Sequence, residues 1–194
     1  MTHKFNPDLA DQLLREERRT WHDPERVLKP LRLETCMALA DIGCGPGWFT
    51  LEAARRMPPG ARVYGIDIQP EMLDRLRART KDAGLTNVEA VLAEEEDEYP
   101  IPTESVDAAL IVDVYHEVDP ATLFLNEVRR ILKPGGRCLV VDWRPEPTPL
   151  GPRPERRVHP EDVRAEFEAA GFTLLETPDV GPYHYGLLFA KGSS

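Results

Sequence analysis

The chain has 194 residues, of which 30% are charged and 41% are hydrophobic, a composition typical of a single soluble globular domain. Its formal net charge of −10 argues against a nucleic-acid partner, because such binding needs a basic surface that neutralises phosphates. Its apolar stretches are too short for a membrane span, and the first residues lack the apolar core of a secretory signal, so we expect a cytoplasmic protein.

From Met37 onward, short apolar runs alternate with helical patterns, an order typical of βαβ units. We therefore predict an α/β fold, a Rossmann-like three-layer sandwich. Residues 1–30 are predicted to form a helical arm and residues 31–194 the main domain. Trp21 in the arm is interpreted as a packing anchor or, alternatively, as a lid over a ligand. The predicted strands are residues 37–42, 62–68, 88–93, 106–112, 136–142, 173–176 and 185–191.

Helices between these runs are marked by proline at their start and glycine at their end. One helix is predicted from Pro70 towards Gly84, and another from Pro160 to Ala170. A third starts at Pro120, with a buried side expected to consist of Leu123, Phe124, Val128 and Ile131. The loop between the last two strands is too short for a crossover helix, so these strands should pair antiparallel. The prediction is a seven-stranded, mostly parallel sheet that ends in a hairpin.

A glycine-rich loop, residues 41–47, separates the first strand from a helix that begins near Trp48. Glycines here permit a tight turn and let the backbone approach a ligand, although a plain strand-to-helix turn is the alternative. Asp67 follows Gly47 by 20 residues, where an acidic side chain can bind both hydroxyls of an adenosine ribose. The third glycine of the pyrophosphate-binding GxGxxG pattern is missing, which weakens a nicotinamide or flavin interpretation.

These segments resemble the class I methyltransferases that depend on S-adenosylmethionine (SAM). The resemblance rests on residues 40–47, 63–67, 106–112 and 132–137, in the family's order, and it extends from Leu31 to Lys191. It implies that three loop glycines surround the methionyl part of SAM, that Asp41 orients the loop or the amino group, and that Asp67 holds the ribose. The cofactor contacts so expected are Asp41, Gly43, Cys44, Gly45, Gly47, Asp67, Ile68 and Asp113.

The resemblance also implies an acidic residue that meets the adenine amino group after the third strand. The stretch 94–98 lacks the family's usual Gly-Asp pair. Counting back from Pro100 favours Glu95, with Glu94 next, and a solvated acidic loop is the alternative for the others.

Four residues that follow the fourth strand are the candidates for catalysis, because ligands lie at the carboxyl edge of an open α/β sheet. Asp113 could stabilise the sulfonium by charge, and Tyr115 could offer its ring or hydroxyl. His116 or Glu117 could accept a proton from the acceptor. The alternative for His116 is a structural side chain that ties the strand end to the next helix.

The loop 143–160 contains six prolines and four arginines and leaves the fifth strand at the same edge. Its arginines could attract an anionic acceptor or close over it, whereas a stiff connector is the alternative. The four are Arg144, Arg153, Arg156 and Arg157. We expect no metal, because the three cysteines form no CxxC pair and His3, His22 and His184 show no ligand spacing.

The sequence therefore predicts transfer of a methyl group from SAM to a small-molecule acceptor, with S-adenosylhomocysteine as product. Two alternatives remain. One is a SAM-binding protein with a regulatory or protein-methylating role, and the other is a dinucleotide-dependent oxidoreductase. The residues 113–116 differ from the Asn/Asp-Pro-Pro-aromatic motif of the amino-methylating nucleic-acid enzymes, which argues against methylation of bases. Acceptor, methylated atom and oligomeric state stay open.

Overall fold

A computed structural model of the chain describes residues 7–94 and 98–192. Its centre is a seven-stranded sheet with the order β3-β2-β1-β4-β5-β7-β6. The strands are β1 (Ala38–Ile42), β2 (Arg62–Asp67), β3 (Val88–Leu92), β4 (Val106–Val112), β5 (Leu132–Trp143), β6 (Phe172–Glu176) and β7 (His184–Lys191).

Strands β1 to β5 are parallel, whereas β7 pairs antiparallel with both β5 and β6. The predicted seven-stranded sheet with a final hairpin is therefore confirmed. On one side of β1 the chain proceeds to β2 and β3, and on the other side to β4 and β5. Such a reversal opens a crevice at the carboxyl ends of the central strands, where α/β proteins bind ligands.

Helices cover both faces of the sheet. They are α1 (Pro24–Leu28), α2 (Trp48–Arg56), α3 (Pro70–Asp82), α4 (Ala121–Ile131) and α5 (Pro160–Ala169). Because side chains alternate across a strand, Ile111 of β4 packs in one core with Phe124 and Phe167, and Leu110 packs in the other with Leu28 and Phe49. Two cores on the two faces of one sheet make the three-layer sandwich that the sequence predicts.

The N-terminal segment consists of short turns of 3₁₀-helix, Pro7–Leu14 and Glu16–Thr20, followed by α1. Leu28 and Leu31 belong to the same buried cluster as Leu39 of β1. The segment therefore packs into the core of the sheet, and the proposed boundary at residue 30 stays a prediction. In the part of the chain described, no helix has the length and apolar character needed to cross a bilayer.

Two local predictions need correction. Strand β5 begins at Leu132, directly after α4, and not at the predicted Gly136. Leu132 already pairs with Val106 of β4, and after a shift in register the pairing continues from Arg137. The side chain of Leu123 is 50% exposed, and Leu125 is buried in its place. Leu125 lies one turn before Val128 on the helix face that meets the sheet.

Candidate active site

A cavity of about 510 Å³ lies at the carboxyl ends of the central strands, within the roughly 300–1,000 Å³ range of small-molecule sites. The last residues of β1, β2, β4 and β5 all line it: Ile42, Asp67, Val112 and Trp143. The cavity therefore occupies the crevice that the strand order opens.

The loop after β1 brings its backbone to this cavity. Gly43, Gly45 and Gly47 have φ values of 70°, 53° and 85°, in the left-handed region that favours glycine. Gly43 and Gly45 line the cavity. Gly47 is outside the lining, and a Cβ there would lie 2.4 Å from Leu76 Cδ1. The sequence expected all three to contact the cofactor, whereas Gly47 instead allows close packing of α2 on α3.

Asp67 connects the end of β2 to the glycine loop. Its carboxylate accepts hydrogen bonds from the backbone N–H groups of Gly45 and Gln69, each at 2.9 Å. Asp67 and the following Ile68 both line the cavity. The glycine loop and this carboxylate, which the sequence associates with one another, are thus in direct contact.

Asp41 is buried at the end of β1 and also lines the cavity. The Thr50 hydroxyl donates a hydrogen bond of 2.5 Å to its Oδ2. Burial raises the pKa of Asp41 to about 7, the Thr50 bond opposes that rise, and the charge of Asp67 adds to it. Burial also raises the pKa of the neighbouring Cys44 thiol, which lines the cavity as a neutral group.

Two acidic residues, Glu94 and Glu95, are expected near adenine. Glu94 is exposed and does not line the cavity, and Glu95 lies outside the described residues. The cavity lining also includes Ile66, Met72 and Tyr99. Sequence reasoning missed Tyr99, because no motif or spacing in the sequence marks it as a ligand contact.

His116 is held by a buried carboxylate on the neighbouring strand. Its Nδ1 lies 2.9 Å from Asp142 Oδ1, and its backbone N–H donates to Asp142 Oδ2 at 3.0 Å. Asp142 is 1% exposed and also accepts from the Trp143 N–H. Burial lowers the pKa of His116, but the bond and the charge of Asp142 outweigh it and raise the pKa above its ordinary value. His116 lines the cavity.

Glu117 lies beside His116, with its Oε1 at 3.9 Å from His116 Nε2, and it also lines the cavity. The structure therefore brings both candidate proton acceptors to one wall. Their closeness places a carboxylate next to the ring nitrogen that Asp142 does not contact.

Tyr115 is the exception among the four catalytic candidates. It is 3% exposed, its ring packs near Phe124 and Phe167, and its hydroxyl donates a 2.5 Å hydrogen bond to Glu166 of α5. It does not line the cavity. The expectation that Tyr115 faces the reacting centre is corrected, because the 3₁₀ turn Tyr115–Glu117 directs this side chain into the core.

Asp113 lines the cavity in a left-handed conformation with φ of 58°. Arg18 Nη2 donates to its Oδ2 at 3.0 Å, His22 Nδ1 lies 3.5 Å from the same oxygen, and His184 Nε2 lies 3.0 Å from Oδ1. Burial favours the neutral acid, but the positive surroundings outweigh it and hold the pKa of Asp113 well below its ordinary value. The carboxylate is thus an anion that ties three distant segments together.

His22, Asp113 and His184 offer donor atoms within 4.8 Å of one another, close enough to ligate a metal ion. However, the Arg18 guanidinium lies 3.2 Å from His22 Nδ1 and already provides positive charge, while the two imidazole rings stack with centroids 4.2 Å apart. Burial lowers the pKa of His22 well below its ordinary value, so its ring is neutral. We therefore interpret the group as an Arg18–Asp113 ion pair with two stacked imidazole rings beside it. Sequence spacing had not linked His22 to His184, because 162 residues separate them and only the fold brings them together.

Trp21 stacks near His22 and His184 and contacts Trp143, and it does not line the cavity. This placement favours the packing anchor over the lid. Arg18 and Leu13 of the same segment do line the cavity. The sequence did not single them out, because Arg18 stands among other arginines and glutamates with no distinguishing spacing.

The arginines of the loop 143–160 have separate roles. Arg156 lines the cavity. Arg157 is buried and donates hydrogen bonds back to its own loop, to the carbonyl oxygens of Arg144, Glu146, Leu150 and Pro152 and to the Thr148 hydroxyl. Arg144 and Arg153 are exposed and outside the lining. Four arginines were expected near the acceptor, and of these Arg156 alone lines the cavity.

Comparison with known proteins supports this geometry. A family model described as "Methyltransferase domain" matches residues 40–140. A solved structure, a SAM-dependent methyltransferase from Aquifex aeolicus, has 31% sequence identity and a TM-score of 0.92, and the alignment covers 97% of this chain and 100% of that chain.

Two curated relatives match shorter parts. An uncharacterized methyltransferase of Mycobacterium tuberculosis is 40% identical over 111 residues, 57% of this chain and 41% of that protein. A demethylmenaquinone methyltransferase of Tropheryma whipplei is 39% identical over 103 residues, 53% of this chain and 40% of that protein. The matches thus span about 40% of the length of these relatives. Together with the sheet order and the glycine loop, these findings identify the chain as a member of the class I SAM-dependent methyltransferase family, whose cofactor is S-adenosylmethionine.

Proposed function

We propose that the chain transfers the methyl group of SAM to a small-molecule acceptor that carries an anionic group, and that it releases S-adenosylhomocysteine. One observation carries the proposal. A single cavity is lined by the glycine loop and Asp67 and also by His116 and Arg156. A cofactor and an acceptor bound in such a cavity would lie next to each other.

The glycine loop, Asp67 and several apolar lining residues fit the cofactor. Gly43 and Gly45, whose positive φ favours glycine, have no side chains to fill the cavity and leave backbone groups near it. Asp67 provides a carboxylate for the ribose hydroxyls. Ile66, Ile68 and Met72 provide apolar surface suited to a purine. Glu95 stays our predicted contact of the adenine amino group.

When bound, SAM supplies an electrophilic methyl group on a sulfonium centre. We assign the role of general base to His116. Because a carboxylate only accepts hydrogen bonds, Nδ1 beside Asp142 carries the proton, and Nε2 of the neutral ring is then the acceptor. His116 Nε2 would take a proton from the acceptor molecule, and Glu117 at 3.9 Å would stabilise the resulting imidazolium.

The part of the cavity lining that belongs to β5 or to segments after β4 and β5 combines apolar surface with positive charge. Val118, Phe124, Trp143 and Pro152 line it together with Arg156. An apolar molecule with a carboxylate or another acidic group fits these surroundings, because Arg binds planar anions through paired hydrogen bonds. The Tropheryma relative is named a demethylmenaquinone methyltransferase, which supports a small-molecule acceptor here.

Positioning in a cavity with little water contributes much of the rate in such a transfer. Asp113 would add a negative charge to the wall near the sulfonium, and its contacts with Arg18 and His184 fix its orientation.

We place the reaction in the cytoplasm, whose reducing conditions suit the three free cysteine thiols.

The test is calorimetric titration with SAM, S-adenosylhomocysteine and NAD, followed by an acceptor screen that detects S-adenosylhomocysteine release. The screen pairs aromatic and aliphatic carboxylic acids with their amides, and it includes hydroxylated quinone precursors. We expect binding of both adenosyl ligands without NAD, and turnover of an acid in preference to its amide. Binding of NAD alone would contradict the proposal in favour of an oxidoreductase, and SAM binding without turnover of any acceptor would favour a regulatory protein.

A further inference from the structure

Glu127 of α4 is a buried carboxylate that lies outside the ligand cavity. It is 9% exposed and does not belong to the cavity lining. Burial alone would raise its pKa, but hydrogen bonds from Arg130 and from the Tyr99 N–H outweigh burial and lower the pKa below its ordinary value. Glu127 is therefore an anion, and an anion is costly to bury unless its partners compensate for the lost water.

Glu127 and Arg130 together bind both backbone groups of Tyr99. The Tyr99 N–H donates to Glu127 Oε1 at 2.7 Å, and the Tyr99 carbonyl oxygen accepts from Arg130 Nη2 at 3.0 Å. Arg130 also donates to the two carboxylate oxygens of Glu127, from Nε at 2.7 Å and from Nη2 at 2.6 Å. Paired bonds between a guanidinium and a carboxylate have a defined geometry. The ion pair therefore defines the position of the Tyr99 backbone relative to α4.

Tyr99 is the member of this group that reaches the ligand cavity. It is 4% exposed and belongs to the lining, whereas Glu127 and Arg130 do not. The segment that leads from β3 to Tyr99 begins beside Asp67, because the Ala93 N–H donates to the Asp67 carbonyl oxygen at 3.1 Å. Ala93 lines the cavity as well. The segment thus starts at the residue that we assign to the ribose of the cofactor.

We propose that Glu127 and Arg130 are positioning residues for SAM binding, which hold the Tyr99 backbone on α4 and so fix the Tyr99 side chain in the wall against which the cofactor lies. The inference rests on the proposed function, since it requires that SAM occupies the cavity. Both residues act through Tyr99 and neither touches the cofactor. A pair that only stabilised the fold would leave the affinity of the folded protein unchanged.

The test is a double-mutant cycle on the affinity for S-adenosylhomocysteine, a ligand that needs no acceptor. Calorimetric titrations compare the wild type, Glu127→Ala, Tyr99→Ala and the double variant, at a temperature at which circular dichroism shows each to be folded. Glu127→Gln keeps an oxygen that can accept from the Tyr99 N–H, and it tests for rescue. Glu168→Ala is the matched control, because Glu168 forms a 2.8 Å ion pair with Arg164 on the exposed side of α5 and lies outside the cavity lining.

We expect Glu127→Ala to bind S-adenosylhomocysteine about 3- to 30-fold more weakly than the wild type, within the range of couplings between residues in contact. In the Tyr99→Ala background the same substitution should change the affinity by less than about twofold, because the side chain that Glu127 positions is gone. Glu127→Gln should lose less affinity than Glu127→Ala, and Glu168→Ala should match the wild type.

Three results would overturn the inference and leave the ion pair with a structural role. They are wild-type affinity in Glu127→Ala, wild-type affinity in Tyr99→Ala, and the same loss from Glu127→Ala in both backgrounds. A wild-type protein that binds no S-adenosylhomocysteine would overturn the proposed function as well. If Glu127→Ala does not fold, Arg130→Lys replaces it in the cycle, because lysine keeps a positive charge beside Glu127 but lacks the paired donors.

Discussion

Nδ1 of His116 lies 2.9 Å from Oδ1 of Asp142, although His116 follows β4 and Asp142 lies within β5. The parallel pairing of β4 with β5 brings them together, since Val112 pairs with Val141 one residue before Asp142. The carboxylate thus determines both the position and the protonation of the imidazole. This contact gives the proposed base a measurable dependence on pH.

We predict that Asp142→Asn shifts the acid limb of the pH profile of kcat/KM to lower pH. Asp142 raises the pKa of His116 above 6.5, and a general base acts only when it is unprotonated. The rate of the wild type should therefore rise with pH through this raised pKa, and removal of the charge should lower the midpoint. His116→Gln should abolish the limb and leave SAM affinity unchanged. His159→Gln, at an exposed histidine, is the control. If the midpoint of this limb does not move in Asp142→Asn, the contact between His116 and Asp142 has a purely structural role.

The same contact affects stability. Because the folded state raises the pKa of His116, its contribution to the free energy of unfolding is complete below the unfolded-state pKa near 6.5 and is lost as pH rises through the folded pKa. Urea unfolding of the wild type and of His116→Gln across this interval should give curves that converge at high pH. Parallel curves would show that the imidazolium is not stabilised by its neighbours.

Asp67→Ala should weaken SAM binding by about 1–3 kcal/mol, the scale of a charge-assisted hydrogen bond. The substitution also removes the acceptor of the Gly45 N–H, so the loop loses a restraint. Asp67→Asn, which keeps one acceptor oxygen, should lose less. Asp74→Asn changes an exposed carboxylate on α3 and should bind like the wild type. Unchanged affinity in both Asp67 variants would remove this residue from the site.

Gly43→Ala should destabilise the fold far more than Gly60→Ala. Both glycines have positive φ, 70° and 82°, and alanine costs about 1–2 kcal/mol in that conformation. A Cβ at Gly43 would in addition lie 2.2 Å from Val114 Cγ2, whereas none of the described atoms lies within 4 Å at Gly60. Overpacking adds about 1–3 kcal/mol. Chemical denaturation measures the difference, and equal losses would mean that Val114 moves aside.

Arg157→Lys should loosen the loop that follows β5. A lysine cannot reproduce the forked donors that bind four carbonyl oxygens and the Thr148 hydroxyl. Loss of such bonds costs about 1.5–3 kcal/mol, and hydrogen exchange in residues 144–152 should accelerate. Arg156→Gln should instead raise KM for the acidic acceptor without faster exchange. If the two variants behave alike, the division of roles between these neighbours is wrong.

The sheet could be predicted because its strands are short apolar runs that alternate with helical patterns, a local signal; β1 and β4, for example, are almost entirely buried. The glycine loop and Asp67 could be predicted because both lie at strand ends in a fixed order. Tyr115 could not be excluded in advance, since sequence shows that it follows β4 but not that the turn directs its ring to Phe167. Arg18 and Asp142 were beyond reach for a different reason. Their partners are 95 and 26 residues away, and only the strand order makes them neighbours.

Asp113 contacts Arg18 and His22 from the beginning of the described chain and His184 from its last strand. During synthesis on a ribosome, residues up to Asp113 can emerge long before His184 does. The contacts that hold the Asp113 carboxylate on the cavity wall are therefore complete only after β7 has left the exit tunnel and inserted between β5 and β6. A nascent chain that lacks β7 has an Asp113 without its His184 contact, so we expect ligand binding to favour the fully folded protein over earlier stages of folding.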